Sequence, residues 1–381
     1  MRRTALSIKR LPGTVRWGSG ESRSRAGEVW PITLGSPNVT VLGVCRNGLP
    51  LLELYSGLAF FGLVTLPPRL RNWLLDDDAD PSVRHRVLRE VLDRPADDPE
   101  VILTKRQIGR VGWAAQILRL QHPEGQWDTH GTSANELYRP KYIATNWRLL
   151  VLSDLGVNGK HPRIAKAVEL FFRRFSGPSG GLGYRGSEVC FTGNAIRMLV
   201  RFGYLEDPRL RPAIKWLIRH QKSDGGWHCD RSRTGTLDAW EAMAAFAAPP
   251  PSARSASVLR AIERGAEFYL DRGLLREGRN PYAPWLRLHY PVHYYYDILV
   301  GLDVLTALGY GGDPRIRPAL DRLEAMRNRD GSWNLDALHP DSEGPLYQTR
   351  GPFYPFGLEV PRHPSRWITT TALVVLRRAG R

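Results

Sequence analysis

The sequence is poor in cysteine, lysine and methionine, and it has no long apolar run. Three cysteines in 381 residues (Cys45, Cys190 and Cys229) are too few for a disulfide framework and suit a reducing compartment. The most apolar stretch, 51–66, contains a glutamate and two glycines, so it falls short of the roughly 18 apolar residues of a membrane span. Residues 1–16 are basic but lack the apolar region of a secretory signal. We therefore predict a cytoplasmic protein, with any membrane contact limited to the periphery.

Lysine is scarce although the formal net charge is +16, since only seven of the 54 basic residues are lysine. The arginines are scattered along helical patterns and do not form one basic stripe. Residues 1–50 alone carry eight basic residues against two glutamates. A basic protein without a basic stripe is not expected to bind nucleic acid specifically.

Composition divides the chain near residue 70. Residues 1–70 combine a Gly/Ser/Pro/Arg-rich segment with an apolar lead-in, and they predict a basic arm that is partly disordered. Residues 71–381 carry a repeat and are predicted to form one domain.

The first repeated phrase is a helix start, in which an Asp or His precedes a proline and then an apolar-periodic run. It occurs at Asp80-Pro81, Asp98-Pro99, His161-Pro162, Asp207-Pro208 and Asp313-Pro314. A second phrase closes these helices with a glycine-tryptophan turn, at 121–127, 221–227 and 327–333. Its spacing is regular, because Trp227 and Trp333 each lie nineteen residues after the proline that opens their unit.

The third phrase is a second helix that ends in glycine, at Gly156, Gly203 and Gly309, as a left-handed C′ position requires. These second helices are predicted to begin near Tyr142, Cys190, Thr236, His289 and Ser365. The sequence therefore predicts five helical hairpins, with the helix after Pro81 as part of a sixth. Such an array is either an open solenoid or a closed ring.

The phrase Gln-Lys-Ser-Asp-Gly-Gly-Trp at 221–227 resembles the QW repeat of squalene-hopene cyclases and their relatives in the terpenoid cyclase and protein prenyltransferase superfamily. The copy at 327–333 is close to it and the copy at 121–127 is looser. The resemblance implies an all-α fold, an α/α toroid in which about five to six hairpins close into a ring of inner and outer helices. It also implies that the N-terminal ends of the inner helices face one mouth of a central cavity and carry the chemistry.

The first functional hypothesis is a class II terpenoid cyclase acting on an isoprenoid or other apolar substrate, as the resemblance implies. Aromatic faces stabilise carbocations, and the candidate lining is Trp147, Phe191, Trp240, Tyr290, Tyr294 and Trp367. The Asp-x-Asp-Asp acid of that family is missing, because the acidic run 76–80 has another order and precedes Pro81 as a helix cap. The acid-base candidates are Asp238, His293 and Asp297, and Asp238 needs burial to raise its pKa.

The second hypothesis is a catalytic zinc site, as prenyltransferases and lanthionine cyclases use. Thiolate and imidazole are the ligands that zinc prefers, and Cys190, Cys229 and His293 are the candidates. His289, His293 and Asp297 recur at four-residue steps, so on a helix they would share one face. The family's Asp-x-Cys and Cys-His-Gly patterns are absent here.

The third hypothesis is a binding scaffold without catalysis. The density of titratable groups at the inner-helix starts favours an enzyme. Arg185 and Arg233 are candidate contacts for a diphosphate. The long loop 334–364 carries several aromatic residues and is interpreted either as a lid over the cavity or as a strap on the outer wall. Five residues of this loop are candidates for contact with the cavity mouth if it is a lid: Tyr347, Arg350, Phe353, Tyr354 and Phe356.

Overall fold

The computed structural model describes residues 29–33, 40–46, 49–51, 66–128, 131–276, 281–338 and 358–381. By contacts the chain separates into two compact units, 1–60 and 61–381. In the first unit, strands β1 (Val29–Thr33), β2 (Thr40–Arg46) and β3 (Leu49–Leu51) form an antiparallel sheet in that order. The sequence did not indicate this sheet, so the all-α prediction does not extend to it. The arm of 1–70 stays a prediction.

The second unit is mostly helical. The α-helices of its described residues are α1 (Pro68–Leu75), α2 (Pro81–Arg86), α3 (Pro99–Gln107), α4 (Gly112–Arg119), α5 (Ala134–Tyr138), α6 (Thr145–Asp154), α7 (Pro162–Phe175), α8 (Val189–Arg201), α9 (Leu210–Arg219), α10 (Glu241–Ala247), α11 (Ala256–Asp271), α12 (Ile298–Ala307), α13 (Arg317–Ala325) and α14 (Arg366–Arg378). A π-helical turn, Val87–Val91, extends α2, and the 3₁₀ turns Leu237–Ala239 and Pro314–Ile316 precede α10 and α13. Strands β4 (Trp333–Leu335) and β5 (His363–Ser365) pair antiparallel.

Three of the five predicted helix starts are confirmed, at Pro81, Pro99 and Pro162. At the other two, α9 begins at Leu210, two residues after Pro208, and Pro314 opens the 3₁₀ turn that precedes α13. Asp80, Asp98 and His161 each accept a hydrogen bond from a backbone N–H in the first turn of α2, α3 and α7. These contacts satisfy donors that a helix N-terminus leaves without an intrahelical partner. The predicted C′ glycines are also confirmed, since Gly156, Gly203 and Gly309 have φ values of 78°, 93° and 97°.

The starts of the second helices are close to the prediction except for one. Helices α6, α8, α10 and α14 begin at Thr145, Val189, Glu241 and Arg366. The start predicted near His289 is wrong, because α12 begins at Ile298 with Asp297 as its N-cap. Residues 289–297 form an irregular loop, so the four-residue spacing of its polar residues does not place them on one helix face.

The three glycine-tryptophan turns share one set of contacts. The indole N–H groups of Trp127, Trp227 and Trp333 donate to the backbone carbonyls of Ile117, Leu217 and Leu323, at 2.8, 2.9 and 2.7 Å. In two copies the turn glutamine also reaches the following outer helix, where Gln121 donates to Arg163 and Gln221 to Ala261. The turn therefore ties the end of one helix to the next hairpin.

Helices α2, α6, α8, α10, α12 and α14 line a common cavity and are called the inner helices below. From α6 to α14 each inner helix contacts the next, and α14 contacts α2. The last contact includes the hydrogen bond from Arg86 Nη1 to Thr371 Oγ1 at 3.0 Å, although 285 residues separate the two. The first and last inner helices are therefore neighbours.

Two further predictions concern the proposed lid and contact with a membrane. Residues 339–357, with all five residues singled out for the proposed lid, lie outside the described residues. Strands β4 and β5 pair at the two ends of that loop. Within the described ranges no helix is long and apolar enough to cross a membrane.

Candidate functional site

The central cavity has a volume of about 460 Å³ and is lined by side chains of all six inner helices. Its polar groups differ in exposure along the helix axes. Near the C-terminal ends, the side chains of Arg201, Asp303 and Arg378 are 38%, 31% and 34% exposed. At the opposite end, His289 and Tyr290 are 1% and 2% exposed. The buried groups near the inner-helix starts therefore form the floor of a cavity that is open at the helix C-terminal ends.

The floor contains a histidine-aspartate pair, His289 and Asp297. The distance between His289 Nδ1 and Asp297 Oδ2 is 2.7 Å, and both side chains are 1% exposed. The same Oδ2 accepts the His289 backbone N–H at 3.0 Å, while Oδ1 accepts the Val300 N–H at 2.8 Å as the cap of α12. Three hydrogen bonds thus fix the carboxylate, and the carboxylate fixes the imidazole.

The second ring nitrogen of His289, Nε2, is available to accept a proton. With Nδ1–H donating to Asp297, the neutral ring has its lone pair on Nε2. Nε2 is buried and has no hydrogen-bond partner among the described residues, and His289 lines the cavity. An oriented imidazole with an unpartnered nitrogen is the arrangement of a general base.

Three aromatic residues of the predicted lining, Trp240, Tyr290 and Trp367, do line the cavity. Tyr290 and Trp367 stack with ring centroids 4.4 Å apart. Burial holds the pKa of Tyr290 well above its usual range, so its hydroxyl stays protonated. That hydroxyl also lacks a hydrogen-bond partner among the described residues.

The other three predicted lining residues, Trp147, Phe191 and Tyr294, lie in the packed interior and are not among the described cavity-lining residues. Trp147 packs edge-on against Tyr294 and His293, at centroid distances of 5.0 and 5.2 Å. His293 is buried in this aromatic cluster, with its backbone carbonyl accepting from Asn194 at 2.6 Å. The structure thus pairs Asp297 with His289.

A buried arginine separates the aromatic floor from the charged mouth. The guanidinium of Arg197 lies 5.0 Å from the Trp240 ring centroid and 3.6 Å from the Asp154 carboxylate. Its side chain is 5% exposed, and its Nε atom has no hydrogen-bond partner among the described residues. Burial lowers the pKa of Arg197, but a guanidinium remains charged in proteins. The sequence analysis missed this residue.

Asp238, the predicted acid, is exposed and accepts the Trp285 indole N–H at 3.1 Å. Three residues later, Glu241 is fully buried in the first turn of α10, and neither carboxyl oxygen has a hydrogen-bond partner among the described residues. Burial raises the pKa of Glu241 well above its usual range. The buried carboxyl of this segment is therefore Glu241, whereas Asp238 is exposed.

The predicted metal ligands come together only in part. The Cys190 backbone N–H donates to the Cys229 sulfur at 3.3 Å. Among the described residues no group of three or more His, Cys, Asp and Glu side chains is arranged to hold a metal ion. The candidate diphosphate contacts Arg185 and Arg233 are exposed and are not among the described cavity-lining residues.

Comparison with known proteins gives a distant likeness. No protein-family model and no curated protein matches the chain. A variant of the type II terpene cyclase MstE from Scytonema, without ligand, is 17% identical over 79% of this chain and 85% of its own, with a TM-score of 0.39. A protein from Actinoplanes is 16% identical over 82% and 97%, with a TM-score of 0.40. A polysaccharide lyase is 12% identical over 82% and 94%, with a TM-score of 0.43.

Proposed function

We propose that this chain is an acid-base enzyme of the terpenoid cyclase type, which acts on an isoprenoid or similarly apolar substrate in the cavity of a closed α/α toroid. The observation that carries the proposal is the buried His289–Asp297 pair, because His289, with its unpartnered Nε2, lines the same cavity as three aromatic residues. A general base and an aromatic floor suit a reaction in which a cationic or electron-poor carbon loses a proton.

The residues of the floor have separate roles in this proposal. The rings of Trp240, Tyr290 and Trp367 bind the apolar part of the substrate and stabilise developing positive charge by about 0.5–2 kcal/mol per contact. Asp297 holds the tautomer in which His289 Nε2 accepts a proton. The carboxylate also stabilises the imidazolium that this transfer produces.

A proton donor is needed if the reaction begins by protonating a double bond. Neither Asp238 nor Glu241 is among the described cavity-lining residues. Glu241 supports the donor role better, because it directly follows the lining residue Trp240, is buried, and has a raised pKa that favours the protonated form. The Arg197 guanidinium, between Trp240 and Asp154, suits a polar or anionic head on the substrate. The proposed substrate is therefore amphipathic, with its apolar chain towards the aromatic floor.

The test is turnover of linear polyprenols and polyprenyl diphosphates of several lengths, followed by product analysis. We expect the wild-type chain to consume at least one of them and His289→Gln to be slower by about 10²–10⁴-fold, the usual contribution of a general base. The matched control is His228→Gln, a histidine in the turn before α10 that is not among the described cavity-lining residues. The proposal fails if no polyprene is consumed, or if His289→Gln reacts at the wild-type rate.

A further inference from the structure

Two cysteines from neighbouring hairpins meet outside the proposed catalytic floor. Cys190 lies in the first turn of α8, and Cys229 lies in the turn that precedes α10. The Cys190 backbone N–H donates to Cys229 Sγ at 3.3 Å, so the two residues are in direct contact. Both are free thiols in this structure. The Cys229 sulfur thus lies against the backbone of the residue that carries the second thiol, and a disulfide bond of about 2.05 Å requires only local movement of the two side chains.

We propose that Cys190 and Cys229 form a reversible intramolecular disulfide when the chain meets a small disulfide oxidant such as oxidised glutathione. Cys229 sulfur attacks one sulfur of the oxidant, and the first glutathione leaves as a thiol. Cys190 then loses its proton to solvent and its sulfur displaces the second glutathione from Cys229. The protein dithiol loses two electrons, and the oxidant gains them as two glutathione thiols.

The positions of the two thiols determine these roles. Cys229 is exposed, so a dissolved oxidant reaches it, whereas Cys190 is only partly exposed. Cys229 sulfur also accepts a backbone N–H from the first turn of a thirteen-residue helix, a contact that favours thiolate. Cys229 is therefore the attacking thiol and Cys190 the resolving one.

The bond would connect two inner-helix segments that are already in tight contact. A Cβ placed on Gly193 of α8 would lie 2.5 Å from the backbone carbonyl carbon of Glu241 in α10, so the two helices meet backbone to backbone. The disulfide fixes the exposed turn on this rigid contact. This inference does not depend on the proposed function.

The experiment uses the full chain equilibrated with glutathione buffers of increasing oxidised fraction, followed by alkylation, trypsin and mass spectrometry. Trypsin places the three cysteines in different peptides: 26–46 for Cys45, 186–197 for Cys190 and 223–231 for Cys229. We expect a 186–197/223–231 cross-linked peptide, loss of two alkylatable thiols per chain, and recovery of both with dithiothreitol. Peptide 26–46 should remain alkylated.

Single substitutions separate this linkage from general oxidation. Cys190→Ser should trap a stable glutathione adduct on Cys229, because no resolving thiol remains. Cys45→Ser is the matched control and should give the same cross-linked peptide as the wild type. Glutathione adducts on all three cysteines without the 190–229 peptide, or cross-links only through Cys45, would overturn the proposal.

Discussion

The His289 ring and the Asp297 carboxylate form a buried pair, with 2.7 Å between Nδ1 and Oδ2. The carboxylate is shared between two tasks, since its other oxygen caps α12 through the Val300 N–H. Helix α12 and the imidazole are consequently oriented by one side chain. Substitutions of Asp297 that remove only one of these contacts therefore distinguish its effect on the orientation of the imidazole from its effect as the cap of α12.

The first prediction concerns substitutions of Asp297. Asn is a good N-cap but cannot match a carboxylate as the partner of an imidazole, whereas Ala can do neither. We expect Asp297→Ala to lower the free energy of unfolding by about 1–3 kcal/mol and Asp297→Asn to lower it by clearly less. Both should lose most of the activity attributed to His289. Urea unfolding and turnover measure the two effects, and equal destabilisation by both substitutions would contradict the shared role of the carboxylate.

The second prediction follows from the raised pKa of Glu241. The folded chain holds this proton more tightly than the unfolded chain, so the wild type loses stability as pH rises above the ordinary carboxyl pKa of about 4.3. Gln has the same shape and no charge. We expect Glu241→Gln to exceed the wild type in free energy of unfolding at pH 7 and the difference to shrink towards pH 4.

Urea unfolding at several pH values measures this difference. The control is Glu206→Gln, at an exposed position where the substitution should change stability little at any pH. A Glu241→Gln variant that is less stable than the wild type at pH 7, and equal to it at pH 4, would show that the native carboxyl is ionised and partnered.

The hairpins could be predicted because their signals are local. A capping residue before proline, a glycine at a helix end and a tryptophan at fixed spacing each act within a few residues. The cavity face could not be predicted, since an inner helix such as Ile298–Ala307 is buried on most sides and has no polar face. Helices α8 and α10 are likewise buried on most sides around Arg197 and Glu241, so no polar helix face marked either residue.

The His289–Asp297 pair shows another limit of sequence reasoning. The four-residue spacing favoured a helix over 289–297, and on such a helix Asp297 would have neighboured His293. The chain instead forms a loop there, which brings residues eight apart into contact. Loop paths depend on the packing around them, and that information is not in the local pattern.

The third prediction concerns zinc. Cys190 and Cys229 supply two sulfurs, but a catalytic zinc site needs three protein ligands, and no group of three was found in the described ranges. We expect far less than one zinc per chain in protein purified without chelator, measured by elemental analysis. Near-stoichiometric zinc that is lost in Cys190→Ser and in Cys229→Ser would establish the zinc hypothesis in place of the redox one.

The last prediction concerns the glycine-tryptophan turns. Trp333 is fully buried, its indole N–H donates to the Leu323 carbonyl at 2.7 Å, and its backbone N–H donates to Thr369 Oγ1 at 2.9 Å. Phe at this position keeps the backbone contact but loses the indole hydrogen bond and part of the ring volume. We expect Trp333→Phe to lower the free energy of unfolding by about 2–4 kcal/mol, because the Leu323 carbonyl loses its side-chain donor and a cavity opens.

Trp113→Phe is the matched control for this substitution. Trp113 is only partly buried, so the same change there should cost about 1 kcal/mol or less. Chemical unfolding of the two variants measures the contrast. The turn connects Leu323 at the end of α13 with Thr369 in α14. A loss of stability in Trp333→Phe alone would therefore mean that the turn couples the outer helix α13 to the inner helix α14, which contacts α2. Equal losses of unfolding free energy at both positions would mean that Trp333 contributes only as a packed side chain. The regular spacing of the turns would then not be explained by this coupling.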